Sequence, residues 1–167
     1  GHDASAAVAN LTRNVVIAGA DSTNTGFLLN LNRTQDNFNL TYAQISYLGK
    51  AATAKWGVTF SSSACGTISY SSIHEGYVGL FLQNSSTNSF TYNLVYNNTG
   101  SAAFGEIYLM SSSSNNFISN HAYETSGGGT GFNLQRSSNN VLFSNQAYSQ
   151  ATGISMTLSS NTLLASN

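Results

Sequence analysis

A glycine-led segment recurs along this 167-residue chain, and a repeating unit of this size constrains the fold more than any local motif. Gly57 opens GVTFSSS, Gly79 GLFLQNSS, Gly105 GEIYLMSS, Gly131 GFNLQRSS and Gly153 GISMTLSS, with a looser copy, GFLLNLN, at Gly26. Successive glycines lie 31, 22, 26, 26 and 22 residues apart. A second column follows the serines. NSFTYN, NNFISN, NVLFSN and TLLASN end at Asn93, Asn120, Asn145 and Asn167, in steps of 27, 25 and 22. A third column, Tyr96, Tyr123 and Tyr148, stands three residues after the first three of those asparagines.

Within each unit the apolar residues alternate, as in Val58/Phe60, Leu80/Leu82, Phe132/Leu134 and Ile154/Met156. Period two is the signature of half-buried strands. Asn, Ser and Thr make up 64 of the 167 residues, and with 15 glycines they disfavour helix interiors. The expectation is an all-β, single-stranded parallel solenoid of about seven coils of 22–26 residues, two short strands per coil, with no significant helix. Equivalent residues would stack at the rung spacing of about 4.8 Å. Asn93, Asn120, Asn145 and Asn167 would take αL corners and join side-chain amides in a ladder. Stacked Tyr96, Tyr123 and Tyr148 would be structural, at about 0.5–1.5 kcal/mol per pair. The chain reads as one domain over 1–167, with irregular entry coils over 1–56 and regular repeats over 57–167.

The pattern of Gly, alternating apolar residues, a Ser pair and a closing Asn resembles the right-handed parallel β-helix repeat of the pectate-lyase-like superfamily. It is closest to the Asn/Ser-rich repeats of secreted bacterial surface proteins. Right-handedness is what that resemblance implies. It also implies a choice among polysaccharide lyases and hydrolases, carbohydrate-binding modules, adhesins and structural segments, because fold alone does not select an activity.

Charge excludes several of the other classes. Only 7% of residues are charged and the net charge is −1. Five scattered basic residues, Arg13, Arg33, Lys50, Lys55 and Arg136, cannot form the stripe that nucleic acid or an anionic membrane requires. No apolar run reaches the roughly 18 residues of a membrane span. Cys65 is the sole cysteine, so no internal disulfide or zinc knuckle forms, and it is expected to pack as a small buried hydrophobe at a turn. No metal or cofactor is expected.

Three site readings remain. Glu75 and Glu124 share a column with Asn97, just past the tyrosines. Two coils would part the carboxylates by roughly 9–10 Å, at or beyond the upper edge of the inverting-glycosidase window of about 6.5–9.5 Å. They are weak catalytic candidates, and the chain is expected to be no enzyme. Outward-facing Phe81 and Tyr108, beside Asn133, form a candidate glycan-binding platform, with cross-coil packing as its plain structural counterpart. Sequons at Asn10, Asn32, Asn39, Asn84 and Asn97 are N-glycosylation acceptors if the source glycosylates. Gly127-Gly128-Gly129 reads as a corner loop, not a phosphate cradle. Neither end carries a visible cap. The expected partner is therefore further coils of a larger parent or a second copy stacked end to end, with glycans as a further candidate. The expected function is a non-enzymatic structural or adhesive rod, secreted or at the cell surface, extending to an extracellular filament. The alternatives are a carbohydrate-binding module or a polysaccharide hydrolase or lyase.

Overall fold

A computed structural model of the chain describes residues 15–31, 38–53, 55–100, 104–123 and 128–167. Three parallel sheets run the length of the molecule, each six strands deep among these residues. The first holds β1 (Val15–Ala18), β4 (Ala43–Ser46), β7 (Ser72–His74), β10 (Leu94–Tyr96), β13 (His121–Tyr123) and β16 (Gln146–Tyr148). The second holds β2 (Leu28–Leu31), β5 (Gly57–Ser61), β8 (Val78–Gln83), β11 (Ile107–Met110), β14 (Thr130–Gln135) and β17 (Thr152–Thr157). The third holds β3 (Asn39–Thr41), β6 (Thr67–Ser69), β9 (Ser89–Thr91), β12 (Asn116–Ile118), β15 (Val141–Phe143) and β18 (Leu163–Ala165).

The all-β parallel solenoid is as expected, with no helix among the described residues. Two details differ. Each coil carries three strands, because the Asn-x-x-Tyr segments form a strand of their own. The strands complete about five turns where about seven were expected, because the first coils are long: β1 to β4 and β4 to β7 each advance 28 residues.

Alternation places one set of side chains inside. Ile45, Ile73 and Val95 stack from the first sheet, Val58/Phe60, Leu80/Leu82 and Ile107/Leu109 from the second, and Ile68, Phe90, Phe117 and Leu142 from the third. Phe60, Phe90 and Phe117 are fully buried and meet as ring pairs at 5.2 and 4.9 Å. At about 1.5–3 kcal/mol per fully buried large side chain, this column is the principal source of stability.

Polar ladders close the corners. Asn120 Oδ1 accepts both the backbone N–H and the Nδ2 amide of Asn93, each at 3.0 Å, while Asn93 Nδ2 also donates to the Ile68 carbonyl. The same arrangement links Asn120 to Asn145 and Asn145 to Asn167. Ser71 replaces asparagine one coil earlier, its N–H donating to Asn93 Oδ1. Burying an amide is costly unless it is paired, and here the buried amides of Asn93, Asn120 and Asn145 are paired with the coils on both sides. The αL residue is not the asparagine but its predecessor: Tyr42, Tyr70, Tyr92, Ser119, Ser144 and Ser166 have φ of 50–56°.

Candidate functional site

A second asparagine ladder and a serine ladder, neither read from the sequence, line the corner between the second and third sheets. Asn88, Asn115 and Asn140 repeat the amide pattern, and the N–H groups of Ser63, Ser85, Ser112 and Ser137 each donate to the next serine's Oγ at 2.9–3.1 Å. The signal was present: those asparagines stand five residues before the ones that were identified.

The corner after the first sheet behaves differently. Asn98 Oδ1 accepts the Gly76 N–H, but the next member of this column is a carboxylate. Glu106 is fully buried, and its two oxygens accept the Asn98 N–H and Nδ2–H. Register Ile107↔Leu80 and Ile107↔Phe132 puts Glu106, not Gly105, in the column of Gly79 and Gly131. Gly79 belongs there because a Cβ would stand 2.7 Å from the Glu106 carbonyl and 2.8 Å from Asn98 Nδ2.

Phe81 and Tyr108 face outward from the second sheet and stack at 5.2 Å. They are not an open platform, however: they are 3% and 7% exposed. Trp56, Tyr77 and Phe104, carried on the corner segments after the first sheet, pack over them. Trp56 stands 5.0 Å from Phe104 and 5.8 Å from Tyr77, and all three roofing rings are half-buried. The Tyr108 hydroxyl donates to Gln135 Oε1 at 2.6 Å. Burial pushes the Tyr108 phenol up, and Arg136 pulls it partly back. Asn133 lies next to Tyr108 on the adjacent strand, half-buried.

Glu75 sits at an αL corner, in one column with Tyr47 and Asn97. Its Oε2 lies 3.2 Å from His74 Nδ1, and the Tyr47 phenol hydrogen-bonds to its carboxylate. Gln44 Nε2 lies 3.4 Å from the other His74 nitrogen. Glu124, the proposed second carboxylate, lies outside the described residues, as do Asn10 and Asn32. Among the described residues no three His, Cys, Asp or Glu side chains group as metal ligands.

Two aromatic columns run along the outside. His74, Tyr96, Tyr123 and Tyr148 stack at 4.9, 4.9 and 5.0 Å. Tyr42, Tyr70 and Tyr92 stack at 5.2 and 4.9 Å on the αL corner leading into the first sheet, a column the sequence reading missed. Cys65 is free and exposed, contrary to expectation, because it occupies an αL bend with φ of 60° that turns its side chain outward. Of the remaining sequons, Asn84 and Asn97 lie exposed at αL bends, while Asn39 accepts a hydrogen bond from Thr67 at 2.6 Å.

Three parallel sheets wound as one solenoid define a parallel β-helix. A family model described as "Right handed beta helix region" matches residues 33–167, and the chain belongs to that family. No curated protein and no solved structure matches it.

Proposed function

We propose that this chain is a non-enzymatic structural β-solenoid of a secreted or cell-surface protein. The observation that supports it is the continuity of the Asn93, Asn120, Asn145 and Asn167 ladder, which cross-braces successive coils through buried amides. A shaft tied in this way resists bending and local opening, since each coil can open only by unpairing buried groups on both sides. The neutral surface suits a role that depends on shape. The partner is a further coil, in this chain or in another copy, laid on the rung formed by β16, β17 and β18. Met156 and Leu164 at that rung are 36% and 45% exposed, and parallel backbone pairing would extend the sheets.

The test combines proteolysis with a polysaccharide panel. The chain should resist a broad-specificity protease and release no reducing ends. Reducing-end release that Glu75→Gln abolishes would overturn the reading, as would recovery of the native protein from the cytoplasm. Light scattering across a concentration series reads end-to-end stacking: growth into rods supports a second copy as partner, and a constant monomer removes it.

A specific observation favours glycan binding as the second reading. Trp56, Tyr77 and Phe104 are half-buried rings at the roof of the aromatic cluster, and Tyr108 in that cluster has Asn133 as its neighbour on the next strand and Gln135 on its hydroxyl. Rings of this kind with adjacent amides suit stacking against a sugar. A glycan array decides it: binding lost in Trp56→Ala supports the site, and no binding to any glycan ends the proposal.

A further inference from the structure

Tyr42, Tyr70 and Tyr92 occupy αL positions with φ of 50–56°, a region that bulky residues rarely enter. The same slot in later coils holds Ser119, Ser144 and Ser166. A bulky ring at a strained position three coils running calls for a return, because strain of this kind concentrates at functional positions. What the rings gain is a parallel stack, 4.9 Å and 6° between Tyr70 and Tyr92, standing on a convex corner. Tyr70 is stacked on both faces, by Tyr42 and Tyr92, and so turns a ring edge to solvent, while Tyr92 is stacked on one face and followed in the column by Ser119. Tyr70 is 41% exposed and Tyr92 49%. The third sheet beside them offers only Asn39, Thr41, Thr67, Ser69, Ser89 and Thr91 outward on these coils, with no charge. Two such corners can therefore approach side by side without like-charge repulsion. Both carry phenols at the same axial repeat.

We infer that the Tyr70–Tyr92 corner is an oxidative cross-linking strip that joins two copies of this chain through dityrosine bonds. The proposal deepens the structural reading and rests on it. The oxidant is hydrogen peroxide acting through a peroxidase. Each phenol gives up one electron and its hydroxyl proton and becomes a neutral phenoxyl radical. Two radicals join Cε to Cε, and each ring returns the hydrogen of that carbon to its oxygen, restoring two phenols. The peroxide takes up the two electrons and two protons and leaves as two waters. The other phenols are worse placed. Tyr47 is hydrogen-bonded to Glu75, Tyr77 is half-buried against Trp56 and Phe104, and Tyr108 is buried. Tyr148 is as exposed, at 45%, but it stands alone, since Tyr123 and Tyr96 stacked behind it are half-buried, whereas the corner presents two exposed phenols on adjacent coils.

The experiment treats the full chain with peroxidase and hydrogen peroxide, and reads dityrosine fluorescence, dimers on a denaturing gel, and cross-linked peptides by mass spectrometry. Dimers should form with the bond mapped to Tyr70 and Tyr92. The double variant Tyr70→Phe/Tyr92→Phe, which keeps the stack, should lose the dimer, while Tyr148→Phe retains it. Bonds in the wild-type chain spread evenly over all tyrosines, or mapped to Tyr148, would overturn the proposal, as would an undiminished dimer in a folded double variant. The wild-type map is decisive without any variant. Protease resistance and melting report the structural role separately, so a stable chain that never cross-links sinks this inference alone.

Discussion

The corners of this solenoid fall into two kinds. From β5 onward, every connection between the second and third sheets has five residues, and every connection between the third and first has two. After the first sheet the connections have ten, three, ten, six and three residues over the same coils. The constant corners hold the continuous Ser and Asn ladders. The variable corner has Asn98 and then Glu106. A ladder pins its corner, because one inserted residue would move every amide out of reach of the next. Where the ladder stops, length is free, and the segments released there carry Trp56, Tyr77 and Phe104 onto the outside of the second sheet. Shaft and surface feature are thus separated on one coil, as loops placed on a rigid scaffold commonly are.

The sharpest break of this contrast is insertion of one glycine. Placed between Tyr92 and Asn93, it shifts the register of β10 and turns Val95 out of the core, which should abolish the cooperative melt. Placed between Ala51 and Ala52 in the variable corner, it should lower stability by less than about 1 kcal/mol, since lengthening a loop costs little entropy. Similar losses at both places would refute the division. Next in size is Asn120→Ala, which strands the Asn93 N–H and removes the Asn120 amide donor from the Phe90 carbonyl, while Asn93 Nδ2 keeps its bond to the Ile68 carbonyl. At about 1–3 kcal/mol for each of these two buried groups, a loss of roughly 2–6 kcal/mol is expected from denaturant melts. Glu106→Gln is milder. One acceptor becomes a donor facing an Asn98 donor, which should cost about 1–3 kcal/mol, with Glu106→Ala costing more. A neutral Glu106→Ala would mean that the carboxylate does not hold the corner.

The same contrast explains what was readable in advance. The 27, 25 and 22 steps of the asparagines match the observed register, Leu94↔His121, His121↔Gln146 and Leu142↔Leu164. That column was legible because only one residue type satisfies two neighbouring coils through a buried amide. The glycine column misled at Gly105, since Glu106 had taken the slot. A glycine records only where space is tight, and a backbone shift of one residue can supply the space another way. The covering of Phe81 and Tyr108 was not legible, because alternation tells which way a strand residue points, not what a distant segment lays over it. Nor was the Tyr42, Tyr70 and Tyr92 stack, whose members sit on bends outside the period-two pattern and whose αL conformation runs against the preference of tyrosine.

The smallest effect probes the variable corner through a titration. Tyr47 and Glu75 occupy successive coils of the column that Asn97 continues. The Glu75 carboxylate accepts the Tyr47 hydroxyl hydrogen bond and also repels the phenolate, and both hold the phenol above the ordinary tyrosine range. A raised folded-state value means the contact stabilises the chain fully below the ordinary tyrosine pKa, and that this contribution is lost as pH rises through the raised value. The pair is only half-buried and open to solvent screening, so the effect belongs in the titration curve more than in the melt. Ring-resolved NMR titration should show Tyr47 ionising above the ordinary tyrosine range, and Glu75→Gln should bring it down by removing both the charge and the stronger acceptor. If Tyr47 titrates in the ordinary tyrosine range in the wild-type chain, the Tyr47–Glu75 contact does not form, and the side-chain ties between coils at this corner reduce to those of Gly76, Asn98 and Glu106.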